Sequence, residues 1–598
     1  KRIRLCSMCG NLPAVIRLPR GEEYVKIQDE YIVKKLGLPK TLFTEGETLC
    51  PYCLLRRLLS VESVFLELLQ KMELYSTGVL IHVPSTNELA SLNAILYLEK
   101  KVLENNAIDK LNEVVNKLLG HSVFTKPYYT HVIPRLFIAK YSDKANDLKK
   151  IARLVSLALS RLGLDDQLIM LATNRCNKDT CKELYEIIKA ISSSTREYED
   201  ILDELKERTS LYYTIIIGDG DNFGKLIKGV TSLTTSEYLN EINKALPRNI
   251  RDQFQNVANV LINLVEAFNK FINNSLSSLG IVHGDTTIII SPSYHSSISR
   301  GQMITSIIDI LLCDLFGGFV VYSGGDDIAV MAPTYIDKEL LYLQSLNGSR
   351  DIVCTVYDGI SLKGIIIPCS GFIPANIIVA TRRNYWDIDS CFKGFHIVGN
   401  MLVAATTAYG RSYGLLITHY KDPLWPAWRL CRILEEYKDG VRTKCSFKLI
   451  AEKDVVVALY GRLSGLAQPT EDIIKQLVIL PNVHVENEKV GYALLLATII
   501  AENLGKEFSN SLLKDVIINY SYAYKSEYSN LAFKLLEKII DRNTIPATSI
   551  LAKRIKELLG EFKNLVIEKD VRTMISDRYE LLPWIIMRMS DYLKSGSR

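Results

Sequence analysis

Apolar residues follow two different spacings along this chain, and the spacing predicts which segments are helices and which are strands. Apolar positions that recur every three or four residues are typical of amphipathic helices. In the first 320 residues the segments with this spacing are Val61–Leu74, Leu89–Leu103, Val257–Phe271 and Ser299–Leu315. Short runs rich in β-branched residues predict buried strands instead. These runs lie beside acidic residues, at Leu211–Ile217, Phe319–Tyr322 and Ile328–Ala332.

The order of these patterns divides the chain into four parts. A chain of 598 residues is too long for one hydrophobic core, and domains of about 150 residues would give three or four of them. We predict a four-cysteine module at 1–60, a helical domain at 61–208, a mixed domain at 209–445 and a mostly helical domain at 446–598. The predicted fold class is α+β.

The segments around the strand runs carry further predictions. The charged run Arg196–Arg208 predicts a solvated helix that leads into the first strand. After the second strand pair, Tyr335–Gln344 is predicted to be helical, and 345–411 to mix short strands with loops. Beyond residue 446, a strand at Asp454–Leu459 precedes segments with helical spacing. Those segments are Glu471–Leu480, Val490–Leu504, Leu531–Ile540, Ile550–Phe562 and Leu581–Leu593.

Composition and charge are those of an ordinary globular protein, without a strongly basic net charge or an apolar run of membrane length. Hydrophobic residues make up 48% of the chain and charged residues 23%, as in ordinary globular proteins. The 72 basic and 67 acidic residues give a net charge of only +5, so RNA contacts would have to come from local patches. The longest apolar runs, such as Ala493–Ala501, are shorter than the ~20 residues that span a bilayer. No signal peptide opens the chain, and we expect a cytoplasmic protein without a membrane partner.

The clearest candidate chemistry lies between two of the strand runs, at Gly324-Gly325-Asp326-Asp327. A Gly-rich turn between strand runs predicts a hairpin with carboxylates at its tip. Glycines allow a phosphate to approach the backbone, and carboxylate oxygens are ligands for Mg²⁺ or Mn²⁺. Gly and Asp are also ordinary turn residues, so this stretch alone is equally compatible with a polar turn.

A second acidic stretch, Asp219-Gly220-Asp221-Asn222-Phe223-Gly224-Lys225, follows the first strand run. If that strand ends beside the hairpin, Asp219 supplies a third carboxylate, and three acids on neighbouring strands hold two divalent ions. Asp221 shares a face with Asp219 if the strand continues, but Gly220 is also a possible start of a turn. Asp221 is therefore open to two interpretations, as a metal ligand or as a residue that shapes the turn.

Cysteines form two Cys-x-x-Cys pairs near the start of the chain, at Cys6/Cys9 and Cys50/Cys53. Four thiolates in two tight pairs are the ligand set of a closed structural Zn²⁺ site, which we favour over disulfides or core cysteines. The loop at 10–49 is longer than in common four-cysteine sites. Cys176 and Cys181 have the wrong spacing for such a pair, and we interpret them as two thiols or a local disulfide.

The ordered pair of acidic motifs resembles the palm domain of GGDEF diguanylate cyclases. It resembles more closely the palm of the large subunit of type III CRISPR RNA-guided effector complexes, Cmr (III-B) branch. Further stretches that support the second resemblance are Pro84–Thr86, Ile290–His295, Ser412–Leu424 and Glu436–Gly440. The similarity is densest over about 211–440.

This resemblance implies a ferredoxin-like, nucleotide-cyclase-type palm and an adenylyl transfer that closes cyclic oligoadenylates from ATP. It implies metal ligation by Asp219, Asp326 and Asp327. It also implies partnership with guide RNA, target RNA and the other subunits, for which the helical C-terminal domain is the expected docking surface. The family commonly carries an HD nuclease domain and a first palm ahead of the zinc module. This numbering contains neither, and we expect it to start inside a longer polypeptide.

Further residues are candidates for nucleotide contacts. The backbone of Gly220–Gly224, including Asp221, Asn222 and Phe223, and the turn at Ser323–Gly325 are expected to cradle phosphates. Lys225 and Lys438 are candidate phosphate ligands. Arg382-Arg383 is a candidate RNA or phosphate contact, although we favour simple solvation of this pair. His295 and His419 are interpreted as packing residues and left out of the catalytic set.

Three alternatives stay open. A diguanylate cyclase is less favoured, because Asp314–Gly318 lacks the arginine of the product-inhibition motif and the turn reads Asp326-Asp327-Ile328 where those enzymes have Asp-Glu-Phe. A template-dependent polymerase would need recognisable fingers and thumb regions. A non-catalytic scaffold that binds a nucleotide would keep the fold without turnover.

Overall fold

The structure is a computed structural model. It describes residues 13–35, 43, 45–51, 54, 58, 83–119, 131–221, 223–227, 248–277, 292–324, 326–341, 344–345, 352–355, 366–368, 370–385, 395–398, 401–404, 410–445, 448–453, 455–461, 477–482, 493–519, 529–545, 549–563, 565–569 and 578–596. Its contacts divide the chain into two compact units. One unit comprises Lys1–Ile81 with Thr125–Tyr129, and the other His82–Phe124 with Thr130–Arg598.

The first unit contains a short antiparallel ladder, in which strand β1 (Ile16–Arg17) pairs with β2 (Thr48–Leu49). Helix α1 (Glu22–Ile27) and a π-helical stretch (Gln28–Lys35) lie between the two strands. Their apolar side chains bury a small core that includes Cys50. The other three predicted zinc ligands, Cys6, Cys9 and Cys53, lie outside the described residues, so the zinc site stays a prediction.

In the second unit, a group of helices precedes the central sheet. These are α2 (Thr86–Glu104), α3 (Ile108–Leu119), α4 (Arg135–Lys140), α5 (Ala145–Leu162), α6 (Leu164–Ala172), α7 (Lys182–Ile191) and α8 (Thr195–Arg208). Serines start two of them, because the Oγ atoms of Ser85 and Ser194 accept hydrogen bonds from the backbone N–H three residues later. The predicted helices at Leu89–Leu103 and Arg196–Arg208 are present, and Cys176 and Cys181 form a disulfide. Val61–Leu74 lies outside the described residues.

The strands of the second unit range from two to nine residues in length. They are β3 (Tyr212–Gly220), β4 (Phe319–Gly324), β5 (Asp327–Pro333), β6 (Gln344–Ser345), β7 (Ile352–Thr355), β8 (Ile366–Pro368), β9 (Phe395–Val398), β10 (Met401–Ala404), β11 (Arg411–His419), β12 (Val441–Cys445), β13 (Lys448–Glu452), β14 (Val455–Gly461), β15 (Val478–Pro481), β16 (Leu565–Lys569) and β17 (Arg578–Leu581).

Helices alternate with these strands and continue to the end of the described residues. They are α9 (Phe223–Ile227), α10 (Arg248–Ser277), α11 (Pro292–Leu315), α12 (Ile373–Tyr385), α13 (Leu424–Glu436), α14 (Ala493–Glu502), α15 (Leu512–Asn519), α16 (Ser529–Asn543), α17 (Ile550–Glu561) and α18 (Leu582–Gly596). None of the helices in the described part of the chain is both long enough and apolar enough to cross a bilayer. Helices and a mixed sheet together confirm the predicted α+β class.

The central sheet has six strands in the order β15-β14-β11-β3-β5-β4. Strand β3 lies inside the sheet and pairs antiparallel with β11 on one side and β5 on the other. Strands β11 and β14 are parallel, and β4 and β5 form an antiparallel hairpin. Burial of β3 and β5 between neighbours fits their runs of isoleucine, valine and alanine.

Helices α12 and α13 cover opposite faces of this sheet. The hydroxyl groups of Tyr413 on β11 and Thr381 on α12 lie 3.0 Å apart. A Cβ atom built at the next residue, Gly414, would lie 2.8 Å from the backbone nitrogen of Glu435 on α13. Successive strand residues face opposite sides of a sheet, so each helix has its own face. Cross-strand partners share a face, which places Asp219, opposite Ser412, on the α13 face and Gly220, opposite Arg411, on the α12 face.

Three predictions of secondary structure were wrong. The segment Tyr335–Gln344 is not a helix beyond a 3₁₀ turn at Lys338–Leu340, because the Ile336 and Asp337 amides donate to Gly371 and Asn93 instead. The region 345–411 contains helix α12 as well as strands. Leu480, predicted as helical, lies in strand β15, whose buried apolar run fits either structure.

Smaller sheets complete the unit. Strands β13, β12, β16 and β17 form a four-stranded sheet, so the C-terminal region contributes strands as well as the predicted helices. The predicted strand at Asp454–Leu459 corresponds to β14. The predicted helices at Val490–Leu504, Leu531–Ile540, Ile550–Phe562 and Leu581–Leu593 correspond to α14, α16, α17 and α18.

Candidate active site

Strand β3 carries the first predicted acid at its end. Asp219 is the second-last residue of the strand and lies opposite Ser412 of β11. Its side chain is on the α13 face, where it forms an ion pair with Lys438. Lys438 lies just beyond the C-terminal end of α13. The strand before this point is apolar, with Ile215 and Ile216 fully buried, whereas the Asp219 side chain is 34% exposed.

The hairpin between β4 and β5 carries the other two acids. Gly324 pairs with Asp327, so the connection between the two strands is short, and Asp326 lies in it. Strand β5 pairs directly with β3, and this brings the hairpin tip to the end of β3. One carboxylate oxygen from each of Asp219, Asp326 and Asp327 lies within 4.8 Å of the others.

The electrostatics of these acids fit a divalent cation. Desolvation, followed by the hydrogen bond and the negative charge of Asp219, raises the pKa of Asp327 to about 7. Desolvation also raises the pKa of Asp326, to which the charge of Asp219 adds. Three carboxylates that repel one another in so small a volume are a hard-oxygen donor set, and a bound Mg²⁺ or Mn²⁺ would relieve the repulsion.

Lys438 reaches this cluster from the α13 face. Its ammonium group contacts Asp219, lies 2.5 Å from Glu435 and lies 3.8 Å from Asp221. Burial by itself lowers the pKa of Lys438, but the carboxylates of Asp219 and Glu435 outweigh it and raise this pKa. Lys438 is therefore charged and close to the acids. Its predicted contact with a phosphate is a separate matter and stays a prediction.

Asp221 forms hydrogen bonds with Gly410 and Ser412 beside the three acids. Its amide donates to the Gly410 carbonyl oxygen, so the pairing with the β11 side continues past Gly220. Its carboxylate is buried and accepts from the Ser412 hydroxyl, which lies 2.9 Å from both oxygens. Asp221 thus lies on the same face as Asp219, as a continuing strand predicts, but it is not among the three acids that converge.

The remaining predicted nucleotide contacts are described in part. A Cβ built at Gly220 would lie 2.7 Å from Tyr385 Cζ and 2.8 Å from Asp326 Cβ, so this position has a packing reason to be glycine. Gly224 is exposed, and Phe223 begins the short helix α9, which includes Lys225. The Ser323 hydroxyl donates to the Ser306 carbonyl at 3.4 Å. Asn222, Gly325 and the Lys225 side chain lie outside the description.

Sequence reasoning missed several buried polar residues behind the hairpin. Arg411 binds Asp309 of α11 and the carbonyl oxygen of Asp326, and Tyr385 of α12 lies against its guanidinium. One signal was available: Asp309 is a single acid within the apolar run Ile307–Leu312, where a buried charge requires a partner. Glu435, the other carboxylate beside Lys438, had no signal of its own.

The structure also shows the surroundings of Arg382 and His419. The prediction that Arg382 is solvated was wrong, because this residue of α12 is buried. The side chain of Arg383 lies outside the described residues. His419 lies at the far end of β11 from the acids, with its ring 5.5 Å from that of Tyr212, which agrees with a packing role.

No family model matches the sequence. The sequence is 24% identical over 507 residues to the CRISPR system CMR subunit Cmr2 of Saccharolobus solfataricus, in an alignment that covers 77% of this chain and 44% of that protein. The fold is similar to a cryo-EM structure of type III-B Cmr-beta in the apo state, with a TM-score of 0.51 and 18% identity. It is similar to a second one, bound to cognate target RNA, with a TM-score of 0.52 and 17% identity.

In sequence, this chain is similar to Cmr2. Both structural alignments cover 100% of it, but only 56% and 57% of the chains compared. The chain thus spans less than half the length of the curated relative and little more than half of the solved chains.

Proposed function

We propose that this chain is the large subunit, or part of it, of a type III-B Cmr effector complex in the cytoplasm. The similarity to Cmr2 and to the fold of Cmr-beta chains supports this proposal. One of the compared structures is bound to cognate target RNA, which supports target RNA as a ligand of the assembled complex. Guide RNA and the remaining subunits are the further partners.

Within that complex, the acids at the end of the central sheet act as an ATP-dependent nucleotidyltransferase site. The 3′-hydroxyl oxygen of one ATP forms a bond to the α-phosphorus of another. The bond from that phosphorus to the bridging oxygen breaks, pyrophosphate leaves, and the hydroxyl proton passes to solvent. Repeated transfers, the last of them intramolecular, close a cyclic oligoadenylate. The observation that carries this proposal is the convergence of Asp219, Asp326 and Asp327 within 4.8 Å.

The residues of this chain hold and orient the reactants. Asp219, Asp326 and Asp327 are the ligands for Mg²⁺ or Mn²⁺, which when bound activates the attacking hydroxyl and neutralises charge on the triphosphate. Lys438 fixes the direction of Asp219 and is close enough to the acids to meet a phosphate oxygen. We expect backbone amides of the hairpin turn and of the segment beyond Asp221 to bind the remaining phosphate oxygens.

The test uses the assembled complex with guide and target RNA, incubated with ATP and Mg²⁺ or Mn²⁺, and identifies the products by mass spectrometry. An Asp326→Ala/Asp327→Ala variant that assembles and binds target RNA normally is the matched control. We expect cyclic oligoadenylates from the unmutated complex and none from the variant. A complex that binds target RNA yet makes no product would support a scaffold instead. A cyclic dinucleotide formed from GTP in a parallel reaction would support a diguanylate cyclase.

A further inference from the structure

A buried arginine holds the backbone of the candidate metal-binding hairpin. Arg411 is the first residue of β11, and its side chain is 1% exposed on the α12 face of the sheet. Its Nε and Nη2 atoms donate to the Asp326 carbonyl oxygen at 3.2 and 3.0 Å. Its Nη1 atom donates to Asp309 Oδ2 at 2.7 Å. One guanidinium therefore joins the turn of the hairpin to helix α11.

The groups around this guanidinium fix it on several sides. Asn384 donates to Asp309 Oδ1 at 2.8 Å and to the Thr305 carbonyl at 3.0 Å, which holds the carboxylate in place. The Tyr385 ring lies against the guanidinium, 4.3 Å from the ring centroid to Cζ. Asp309 is fully buried. Residues of β11, α11 and α12 thus converge on the backbone of Asp326.

The chemistry of this cluster requires arginine in particular. A planar guanidinium can donate twice to one carbonyl oxygen and once to a carboxylate, whereas an ammonium group cannot present the same fork. A buried ion pair is also a poor device for stability alone, because well-packed apolar residues of similar volume are often as stable or more stable. Its geometric effect, a fixed position for the Asp326 carbonyl, is the property that apolar residues could not replace.

We propose that Arg411, held by Asp309, is a positioning residue that sets Asp326 and Asp327 at the correct distance from Asp219 for binding divalent cations. This inference rests on the proposed function, since it concerns the same carboxylates. Arg411 does not contact the reacting atoms in this arrangement. It acts on the acids through the backbone of the hairpin turn, while Lys438 orients Asp219 from the other face of the sheet.

Three variants of the full chain, assembled with its partner subunits, test the proposal. Arg411→Lys keeps the charge but loses the fork. Arg411→Met/Asp309→Asn removes both charges, so that no unpaired carboxylate stays buried, and keeps a hydrogen-bond acceptor for Asn384. Arg208→Met is the control, because Arg208 is a second arginine stacked on a tyrosine, at the opposite end of the sheet. The probe is Mn²⁺, measured by electron paramagnetic resonance as the binding that an Asp326→Ala/Asp327→Ala variant lacks.

We expect the two Arg411 variants to need about tenfold more Mn²⁺ or greater for half-saturation, the scale of losses when outer-shell partners of metal ligands are removed. Arg208→Met should bind Mn²⁺ as the unmutated chain does. The decisive comparison is the double variant. If its thermal unfolding is normal and its Mn²⁺ affinity is still reduced, Arg411 positions the acids. If Mn²⁺ binding is unchanged in both Arg411 variants, or falls equally in Arg208→Met, the proposal is wrong.

The result is separable from the proposed function. A complex that binds Mn²⁺ at the three acids, loses affinity in the Arg411 variants and yet makes no cyclic oligoadenylate would support the positioning role and contradict the synthetase. A complex that makes the product, with equal Mn²⁺ affinity in the unmutated chain and in all Arg411 variants, would support the synthetase and contradict the positioning role of Arg411.

Discussion

Arg411 and Arg208 occupy opposite ends of the central sheet and have similar surroundings, but their partners differ in kind. Each lies on a tyrosine ring, with Cζ 4.3 Å from the Tyr385 centroid for Arg411 and 4.5 Å from the Tyr97 centroid for Arg208. Arg208 precedes β3 and contacts Asp337, Glu204 and Glu339, whose side chains are 26%, 43% and 50% exposed. Arg411 has one carboxylate partner, which is fully buried, and a backbone carbonyl.

The difference indicates what each arginine does. Water reaches the carboxylates around Arg208, and ion pairs with solvent-exposed partners contribute little free energy each. The carboxylate partner of Arg411 is fully buried instead, and the guanidinium also donates to the hairpin backbone. One end of the sheet is therefore held by partly exposed ion pairs, and the other by a fixed hydrogen-bonding geometry beside the acids. The following predictions test this contrast, from the largest effect to the smallest.

Substituting one acid at each end of the central sheet should give the largest difference in reaction rate between the two ends. Asp219→Ala removes a proposed metal ligand and should slow formation of the proposed product on the order of a thousandfold, because metal ligation contributes several kcal/mol to the transition state. Asp337→Asn, at the Arg208 end, should leave the rate unchanged within about twofold, since Asp337 contacts none of the three acids and Asn keeps an oxygen that accepts hydrogen bonds. Rates of ATP consumption by the target-bound complex measure both. Similar losses in the two variants would remove the functional distinction between the ends.

Removing each arginine in turn should reveal different costs in stability. Arg411→Met leaves the fully buried Asp309 without its cation, and we expect a loss of about 3–5 kcal/mol in the free energy of unfolding. Arg208→Met leaves carboxylates that water can reach, and we expect about 1 kcal/mol or less. Chemical denaturation of the isolated chain gives both values. Equal losses would show that burial of the partner does not govern the difference.

A glycine beside Tyr385 offers a steric test of the Arg411 end. Gly220→Ala would bring a methyl group against the Tyr385 ring and Asp326 Cβ, and we expect a loss of about 1–3 kcal/mol in unfolding free energy from overpacking. Gly224→Ala is the control, because a Cβ there meets nothing within 4 Å. Adding Tyr385→Phe should recover part of the loss, since it removes the hydroxyl that the new methyl meets. A Gly220→Ala chain as stable as Gly224→Ala would contradict the close packing.

The smallest effect is a dependence on pH at the Arg208 end. Burial alone raises the pKa of Glu339, but the Arg208 guanidinium, with Lys100, outweighs it and lowers this pKa below its ordinary value of 4.5. A depressed carboxyl pKa stabilises the folded state above the ordinary value, and the contribution is lost as pH falls through the lower, folded-state value. The stability difference between the unmutated chain and Arg208→Met should therefore shrink below pH 4.5, measured by denaturation at successive pH values. A difference that grows on acidification would contradict this sign.

The acids of the site could be predicted from the sequence because each lies at the end of a distinct apolar run, with a turn residue beside it. The same rule predicted the β4–β5 hairpin and the strand before Asp219. It failed where partners come from distant elements. Tyr335–Gln344 has helical spacing, but the amides of Ile336 and Asp337 donate to the Gly371 carbonyl and the Asn93 side chain. No local pattern indicates these distant partners.

Arg411 illustrates the same limit within the site. At the start of a strand, an arginine is usually solvated, and nothing next to it in sequence shows that Asp309 and Tyr385 will enclose it. Arg382 was misjudged for this reason, because burial of a charged residue in α12 depends on how that helix packs between the sheet and α14. The lone acid in the apolar run of α11 was the one local sign of a buried pair. The four-part domain division, the zinc site and the nucleotide contacts remain predictions.

The sequence distances behind the site have a consequence for how the chain acquires it. Arg411 is 85 residues from the carbonyl it binds and 102 residues from Asp309. Contacts of such high sequence separation form only after large loops have closed, so we expect them to be among the slower steps of folding. A nascent chain that has emerged only as far as α12 contains all three acids but lacks the strand that supports them. Synthesis of β11 is therefore the earliest moment at which the acids can take up their final arrangement.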